Sequence, residues 1–125
     1  MKKAGWIISG LLLAFLLPAS VAPKLLGMDV ATDTMAQLGW PTGGVFALGL
    51  LELVLLLMYA WPRTALAGAV LFTALLGGAV ATHLRVGSPL ATPTLFGVYF
   101  GILLWLGLYL RDPALRTYVQ ASLRR

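Results

Sequence analysis

The stretch TGGVFALGLLELVLLLMYAWPR, residues 42–63, decides the fold of this chain. It is long enough to cross the hydrocarbon core of a bilayer, which takes about 20 residues of helix. Between its two ends, the only charged side chain is Glu52. A carboxylate at that depth is costly, because hydrocarbon offers neither water nor a counter-ion. The stretch therefore predicts a membrane-spanning helix with one polar group in its interior.

The composition excludes an ordinary soluble domain. Of the 125 residues, 60% are hydrophobic and 10% are charged, and the mean hydropathy is +0.93. Four acidic and nine basic side chains cannot cover the surface of a water-soluble protein of this size, whereas lipid can take the place of that polar surface. The chain is therefore predicted to be an all-α integral membrane protein that forms one domain over residues 1–125, with the lipid bilayer as its first partner.

Charge and cysteine content exclude several other partners and cofactors. The net charge is +5, but the basic residues separate the apolar runs instead of forming a patch, so no nucleic-acid partner is expected. Without cysteine, the chain can form no disulfide, thiol redox pair or thiolate metal site. Because it also has a single histidine, we expect no metal site and no haem held by two histidines within one chain.

Four apolar runs are each long enough for a transmembrane helix. They comprise about 18–20 residues apiece, or roughly 27–30 Å of helix, and they lie at residues 4–22, 42–61, 65–82 and 93–110. The first run resembles a secretory signal, but Pro23 directly follows the cleavage-like sequence and makes a poor substrate for a signal protease. An uncleaved first helix is therefore favoured, and the chain is predicted to form a bundle of four transmembrane helices.

The basic residues determine the predicted orientation. Seven of the nine fall on one side of the four spans and two, Lys24 and Arg85, on the other, which places both termini in the cytoplasm. Residues 28–38 have apolar positions at helical spacing and predict a short interfacial helix between the first two spans. The cytoplasmic basic tail, residues 111–125, is predicted to contain an amphipathic helix over residues 113–125, with Pro113 in its first turn and Asp112 as its N-cap.

Helix rise places three polar side chains at one depth near the membrane midplane. Counted from the cytoplasmic boundary, Glu52 lies about 13 Å, Thr73 roughly 12 Å and Tyr99 roughly 16 Å into the membrane. Thr73 or Tyr99 is therefore expected to hydrogen-bond the Glu52 carboxyl. Two interpretations of Glu52 stay open. It is either a ligand contact or proton relay in an internal cavity, or a structural carboxyl that is hydrogen-bonded between helices.

A second polar level is predicted at the outer rim. His83 lies about 27 Å above the cytoplasmic boundary, with Arg85 beside it, and Lys24 ends the first span at the same level. Such groups can hold an anionic group or a quinone carbonyl, and histidine titrates near neutral pH. The alternative is that Lys24 and Arg85 extend to the membrane surface and pair with Asp29 or Asp33.

Several short motifs resemble those of the DoxX-like family of small bacterial membrane proteins. The motifs are PKL at residues 23–25, GWP at 39–41, GLLEL at 49–53, PR at 62–63 and, most specifically, GGAVATHLR at 77–85. The resemblance implies a four-helix membrane bundle in the bacterial cytoplasmic (inner) membrane. The family takes its name from a membrane subunit associated with quinone-linked sulfur oxidation, but the resemblance does not carry that reaction onto this chain, which has no cofactor motif and no cysteine to relay sulfur.

Together, the residues and the resemblance favour a non-enzymatic protein that binds a small amphipathic molecule, with a quinone as the candidate ligand. It would act as the membrane partner of a redox enzyme or stress system. No catalytic residue and no covalent cofactor are predicted, and the candidate ligand-binding residues are Glu52, His83, Arg85, Lys24, Thr73 and Tyr99. Three alternatives stay open: a catalytic subunit in quinone-linked redox chemistry, a small transporter built as a homo-oligomer, and an assembly factor without a ligand.

Overall fold

The computed structural model of the protein describes residues 2–87 and 95–125, and these residues form helices and turns without a β-strand. In chain order, the α-helices are α1 (Lys2–Leu16), α2 (Ala22–Leu25), α3 (Asp29–Gln37), α4 (Val45–Ala60), α5 (Ala65–Arg85), α6 (Phe96–Arg111) and α7 (Pro113–Leu123). A π-helical turn, Leu17–Val21, joins α1 to α2, and a 3₁₀ turn, Thr42–Gly44, precedes α4.

Two helices are clearly long and apolar enough to cross a membrane. One is the continuous helix Lys2–Leu25, which comprises α1, the π-helical turn and α2, and the other is α5. The α4 helix is apolar but shorter, with 16 residues, and α6 meets α7 at a bend of 103°. Large apolar side chains, including Leu11, Leu57 and Ile102, stay exposed on the long helices. Because water would penalise such surfaces, the chain is a membrane-embedded protein.

The helix bounds differ from the predicted spans. The first helix does not end before Lys24, as the sequence suggested, but continues through it. Pro18 cannot donate a backbone hydrogen bond, and the π-helical turn that contains it absorbs this loss without breaking the helix. Pro23 lies in the first turn of α2, where its missing N–H is tolerated. The third predicted span corresponds to α5, which is also longer than predicted and ends at Arg85.

The fourth predicted span corresponds to α6, which starts at Phe96 within the described residues. The predicted start of its span, residues 93–94, and most of the predicted connection before it lie outside the described residues.

The long helices form one packed group. α1 lies along α6, α6 along α5, and α5 along α4, while α2 and the π-helical turn contact α4. The largest fully buried side chains meet between these helices, and they are Tyr59, Phe72, Leu56, Leu104, Leu108 and Ser9. Gly68 lets α5 lie close to α4, since a Cβ there would be 2.5 Å from the backbone nitrogen of Tyr59. Such close packing supplies the van der Waals energy that holds helices together in lipid.

Helices α3 and α7 agree with the local sequence signals that predicted them. α3 ends where Gly39 adopts a φ of +80°, a left-handed conformation that glycine takes without strain. Its Met35 side chain is buried against the rest of the protein. α7 begins at Pro113, and Asp112 caps it by accepting a 3.1 Å hydrogen bond from the backbone N–H of Ala114. The tail is therefore a helix that turns sharply away from α6.

Candidate functional site

The Glu52 carboxylate forms an ion pair with Lys24. The Lys24 Nζ donates to Glu52 Oε2 over 2.8 Å. The same ammonium donates to the Ser20 hydroxyl at 2.8 Å and to the Ser20 carbonyl at 3.3 Å. The Glu52 side chain is 8% exposed and that of Lys24 is 22% exposed. The three donor hydrogens of the ammonium thus have three acceptors, and the buried carboxylate has its counter-ion.

Small side chains let this pair form. A Cβ at Gly49, one turn before Glu52, would lie only 2.7 Å from the Cβ of Lys24. Because glycine has no Cβ, α2 can lie directly against α4, and the lysine side chain reaches Glu52. Ser20 lies one helical turn before Lys24 and completes the ammonium's contacts. The expectation that Lys24 pairs with Asp29 or Asp33 is therefore wrong, since a continuing first helix carries it to Glu52 instead.

Thr73 faces a different helix from the one predicted. Its hydroxyl donates to the Ala69 carbonyl at 2.7 Å and accepts from Trp105 Nε1 at 2.8 Å. Its donor hydrogen is therefore occupied within α5, and its contact across the helices is to α6 and not to Glu52. Tyr99, in the first turns of α6, has its ring centroid 6.0 Å from that of Phe96. Thr73 thus belongs to a polar contact between α5 and α6, while Glu52 pairs with Lys24 between α4 and α2.

A cleft of about 400 Å³ lies between α5 and α6. It runs from the hydrogen-bonded Thr73 and Trp105 to the contact of Gly97 with Val80. The residues lining it are Thr73, Leu76, Gly77, Val80, Gly97, Val98, Gly101, Ile102 and Trp105. Apolar side chains and glycines predominate, so the polar side-chain atoms of its wall are the threonine hydroxyl and the indole N–H. Thr73, Gly77 and Ile102 are exposed, so the cleft is an open groove on the outer surface of the helix bundle, with its polar groups at one end.

The three residues predicted at the outer rim, Lys24, His83 and Arg85, do not form one group. Arg85 Nη2 donates to the Leu38 carbonyl over 2.7 Å, at the C-terminal end of α3. A cation is favourable there because the carbonyls of a helix C-terminus carry partial negative charge. Arg85 thus fixes α3 to the end of α5, and His83 lies in the same last turn of α5. Lys24 is not part of this group, because its ammonium is directed to Glu52.

A polar cluster that the sequence did not indicate surrounds Arg111, the last residue of α6. Its guanidinium carbon lies 4.2 Å from the ring centroid of Trp6 and 4.5 Å from that of Tyr59. Its Nη2 donates to the Tyr59 carbonyl. The Tyr59 hydroxyl donates to the Leu104 carbonyl at 2.6 Å and lies 2.9 Å from Ser9 Oγ. The sequence contained one signal, an arginine and aromatic residues at the ends of apolar runs, but that pattern equally predicts exposed interfacial anchors.

Within residues 2–87 and 95–125, no group of three or more His, Cys, Asp or Glu side chains is arranged to hold a metal ion.

Comparison with known proteins identifies one family. No curated protein and no solved structure shows a significant match to the chain. The model of the DoxX-like family, in contrast, matches residues 7–107, which include the long helices that form the cleft and the Lys24–Glu52 pair. The match covers most of the chain and agrees with its apolar, helical character. The protein belongs to the DoxX-like family.

Proposed function

We propose that the chain crosses the bacterial inner membrane four times as one domain over residues 1–125, with both termini in the cytoplasm. The composition of α4 and α6 supports this topology, because each is apolar and packs against a helix of spanning length. The charge distribution supports the orientation, because seven of the nine basic residues lie at one end of the predicted bundle.

Single cysteines test the orientation cleanly, since the natural chain has none. Thr34→Cys on α3 and Ala121→Cys on α7 are exposed positions on the two short helices. In intact spheroplasts, a membrane-impermeant maleimide is expected to label Thr34→Cys at once and Ala121→Cys only after permeabilisation. Labelling of Ala121→Cys in intact spheroplasts would place the C-terminus outside and contradict the proposal.

We further propose that the protein binds a small amphipathic molecule, with a quinone as the leading candidate, in the cleft between α5 and α6. The observation that carries this proposal is the cleft itself, about 400 Å³ of mostly apolar wall with the Thr73–Trp105 hydrogen bond at one end. Its volume lies within the range of small-molecule sites, about 300–1,000 Å³. A ring-sized head group with an apolar tail matches this combination of size and polarity.

The wall chemistry assigns a role to each part of such a ligand. Gly77 and Gly101 leave flat backbone surface on which a ring can lie, whereas Gly97 packs against Val80 and Leu76 of α5. The Trp105 N–H, which now donates to Thr73, can turn to a ligand carbonyl, and the Thr73 oxygen can accept from a ligand hydroxyl. The tail would then lie among lipid chains. His83 follows Val80 by one turn of α5, at the Gly97 end of the cleft, where the ligand would enter, and Tyr99 lies on α6 between Gly97 and Gly101.

In this proposal, the remaining candidate residues have structural roles. Lys24 and Glu52 hold α2 against α4, and Arg85 holds α3 against α5. The protein would bind the quinone and present it to a redox enzyme or stress system in the same membrane. A homo-oligomer is compatible with this role, because the exposed apolar faces of the long helices are available for contact.

The test compares two neighbouring glycines of α5. An added Cβ meets nothing within 4 Å at either Gly77 or Gly78, but only Gly77 lines the cleft. Gly77→Leu is expected to weaken binding of a decyl-tailed benzoquinone by at least about tenfold, since the leucine occupies the cleft. Gly78→Leu, the matched control, should bind as the natural protein does. Trp105→Phe removes the tryptophan that lines the cleft, so its binding is measured by equilibrium dialysis; it should be weakened about fivefold, as expected for one hydrogen bond.

The measurement is quenching of tryptophan fluorescence during quinone titration of the detergent-purified full chain. Equal binding by both leucine variants would show that the quinone does not occupy the cleft. Quenching that never saturates would show that it only partitions into the micelle. Turnover of the quinone by the purified protein alone would favour the alternative of a catalytic subunit.

A further inference from the structure

A second site lies at the opposite end of the bundle from α3, around the buried Arg111. We propose that its guanidinium binds the phosphate of an anionic lipid head group from the adjacent leaflet. This site shares no residue with the cleft between α5 and α6, so the proposal does not depend on quinone binding.

The first observation is that the buried Arg111 guanidinium is only partly hydrogen-bonded. Arg111 is 4% exposed, and its Nε and Nη1 atoms are buried with no hydrogen-bond partner. Its Nη2 alone donates, to the Tyr59 carbonyl. A buried cation with unsatisfied N–H groups is costly, and native structures normally supply an acceptor. Phosphate oxygens suit the guanidinium well, because each offers a charge-assisted hydrogen bond.

The second observation is the position of Arg111 at a membrane boundary. α6 ends at this residue and α7 leaves at a bend of 103°, so α7 lies across the end of the bundle. Trp6 covers one face of the guanidinium and is itself 41% exposed. The buried Tyr59 ring covers the other face, so the proposal requires the exposed Trp6 ring to turn away when a phosphate binds. Tryptophan is typical of this boundary.

The third observation is the charge at this end of the bundle. Gly5 of α1 lies against the backbone of Arg111, which brings the first turn of α1, with Lys2 and Lys3, to the same end. Arg63 follows α4 there, and Arg116 of α7 donates to the Leu110 carbonyl, next to Arg111. Arg124 and Arg125 lie at the far end of α7, about 12 Å of helix beyond Arg116, and are not part of this cluster.

The carboxylate at this end is that of Asp112, and its Oδ1 accepts from Ala114 as the cap of α7. Five basic side chains, Arg111 included, thus lie at the same end of the bundle as this one carboxylate. Basic clusters of this kind between and beside transmembrane helices attract anionic head groups.

Native mass spectrometry of the detergent-purified full chain tests the site. Phosphatidylglycerol and phosphatidylcholine with the same acyl chains are the probes, and inorganic phosphate is the third ligand. We expect retention of phosphatidylglycerol at least about tenfold above phosphatidylcholine, because the choline group cancels the charge of the phosphate. Arg111→Gln should remove this preference, since it removes the charged hydrogen bonds. The matched control, Arg124→Gln with Arg125→Gln, should keep it.

The controls distinguish lipid binding at Arg111 from non-specific electrostatic attraction of the lipid to basic residues. Loss of the preference in the Arg124→Gln, Arg125→Gln variant would mean that the tail attracts lipid non-specifically, and would overturn the proposal. Competition by inorganic phosphate at equal concentration would show that a free anion is the ligand, and would overturn it as well. These two outcomes decide the question even if Arg111→Gln does not fold. Equal retention of both lipids by the natural chain would also contradict it.

Discussion

Glu52→Leu is expected to lower the free energy of unfolding by about 3 kcal/mol, the lower end for removing one partner of a buried ion pair. The loss is at the lower end of the range for buried ion pairs because the Lys24 side chain is 22% exposed and keeps its two hydrogen bonds to Ser20. The variant leaves the ammonium beside apolar side chains without a counter-ion. Thermal unfolding in detergent, followed by the helical circular dichroism signal, measures the loss.

The double variant Lys24→Met, Glu52→Leu is the matched control for this prediction. It removes both charges together and fills their volume with apolar atoms, so its stability should return to within about 1 kcal/mol of the natural protein. If the single and double variants lose the same stability, the two charges do not interact in the folded protein. That outcome would refute the ion pair.

Glu52→Gln decides between the two interpretations of this carboxyl. If the pair is structural, the variant is less stable, but its folded fraction binds quinone as the natural protein does. If Glu52 contacts the ligand or relays protons, quinone binding or activity falls while the fold is retained. The geometry favours the first outcome, because the hydrogen bond to the carboxylate comes from Lys24 and the cleft lies between two other helices.

Gly5→Ala is expected to destabilise the protein by about 1–3 kcal/mol or more, the usual effect of overpacking. The new methyl group would lie 2.6 Å from the Gly107 carbonyl oxygen and also against the backbone nitrogen of Arg111. Both are backbone atoms, so the strain is relieved only if α1 and α6 move apart. Because Arg111 is held between Trp6 and Tyr59, that movement also disturbs the Arg111 cluster.

Gly10→Ala is the control on the same helix. A Cβ there meets nothing within 4 Å, so alanine should leave stability unchanged or raise it by up to about 1 kcal/mol through helix propensity. Chemical unfolding of both variants in the same detergent gives the comparison. Equal stability of Gly5→Ala and Gly10→Ala would show that α1 and α6 do not approach as closely as described.

Local signals in the sequence were sufficient to predict the start of α7 and the end of α3. Asp112 and Pro113 predicted the start of α7, because capping and a missing N–H act within one turn. Gly39 predicted the end of α3 for a similar local reason, and the helix it ends is present at Asp29–Gln37. The position of Lys24 was not predictable in this way. Its pairing depends on a helix that continues past two prolines and on a close approach at Gly49.

The sequence could place side chains by depth but not by direction. Glu52 and Thr73 were predicted at one depth, yet one faces Lys24 and the other faces Trp105. Depth follows from counting residues along a helix, at about 1.5 Å each. Direction depends on how each helix is rotated about its axis, which is set by contacts between residues far apart in the chain.

By itself, therefore, the sequence determined that this is a helical membrane protein of the DoxX-like family, where its apolar runs lie, and which polar groups are costly in lipid. Only the tertiary structure decided that Lys24 neutralises Glu52, that Thr73 joins Trp105 at a cleft, and that Arg111 is buried. The physical reason is that lipid and protein interior are equally apolar. Helices in such surroundings carry no amphipathic stripe to mark their inner face, so close packing of small residues selects the polar partners.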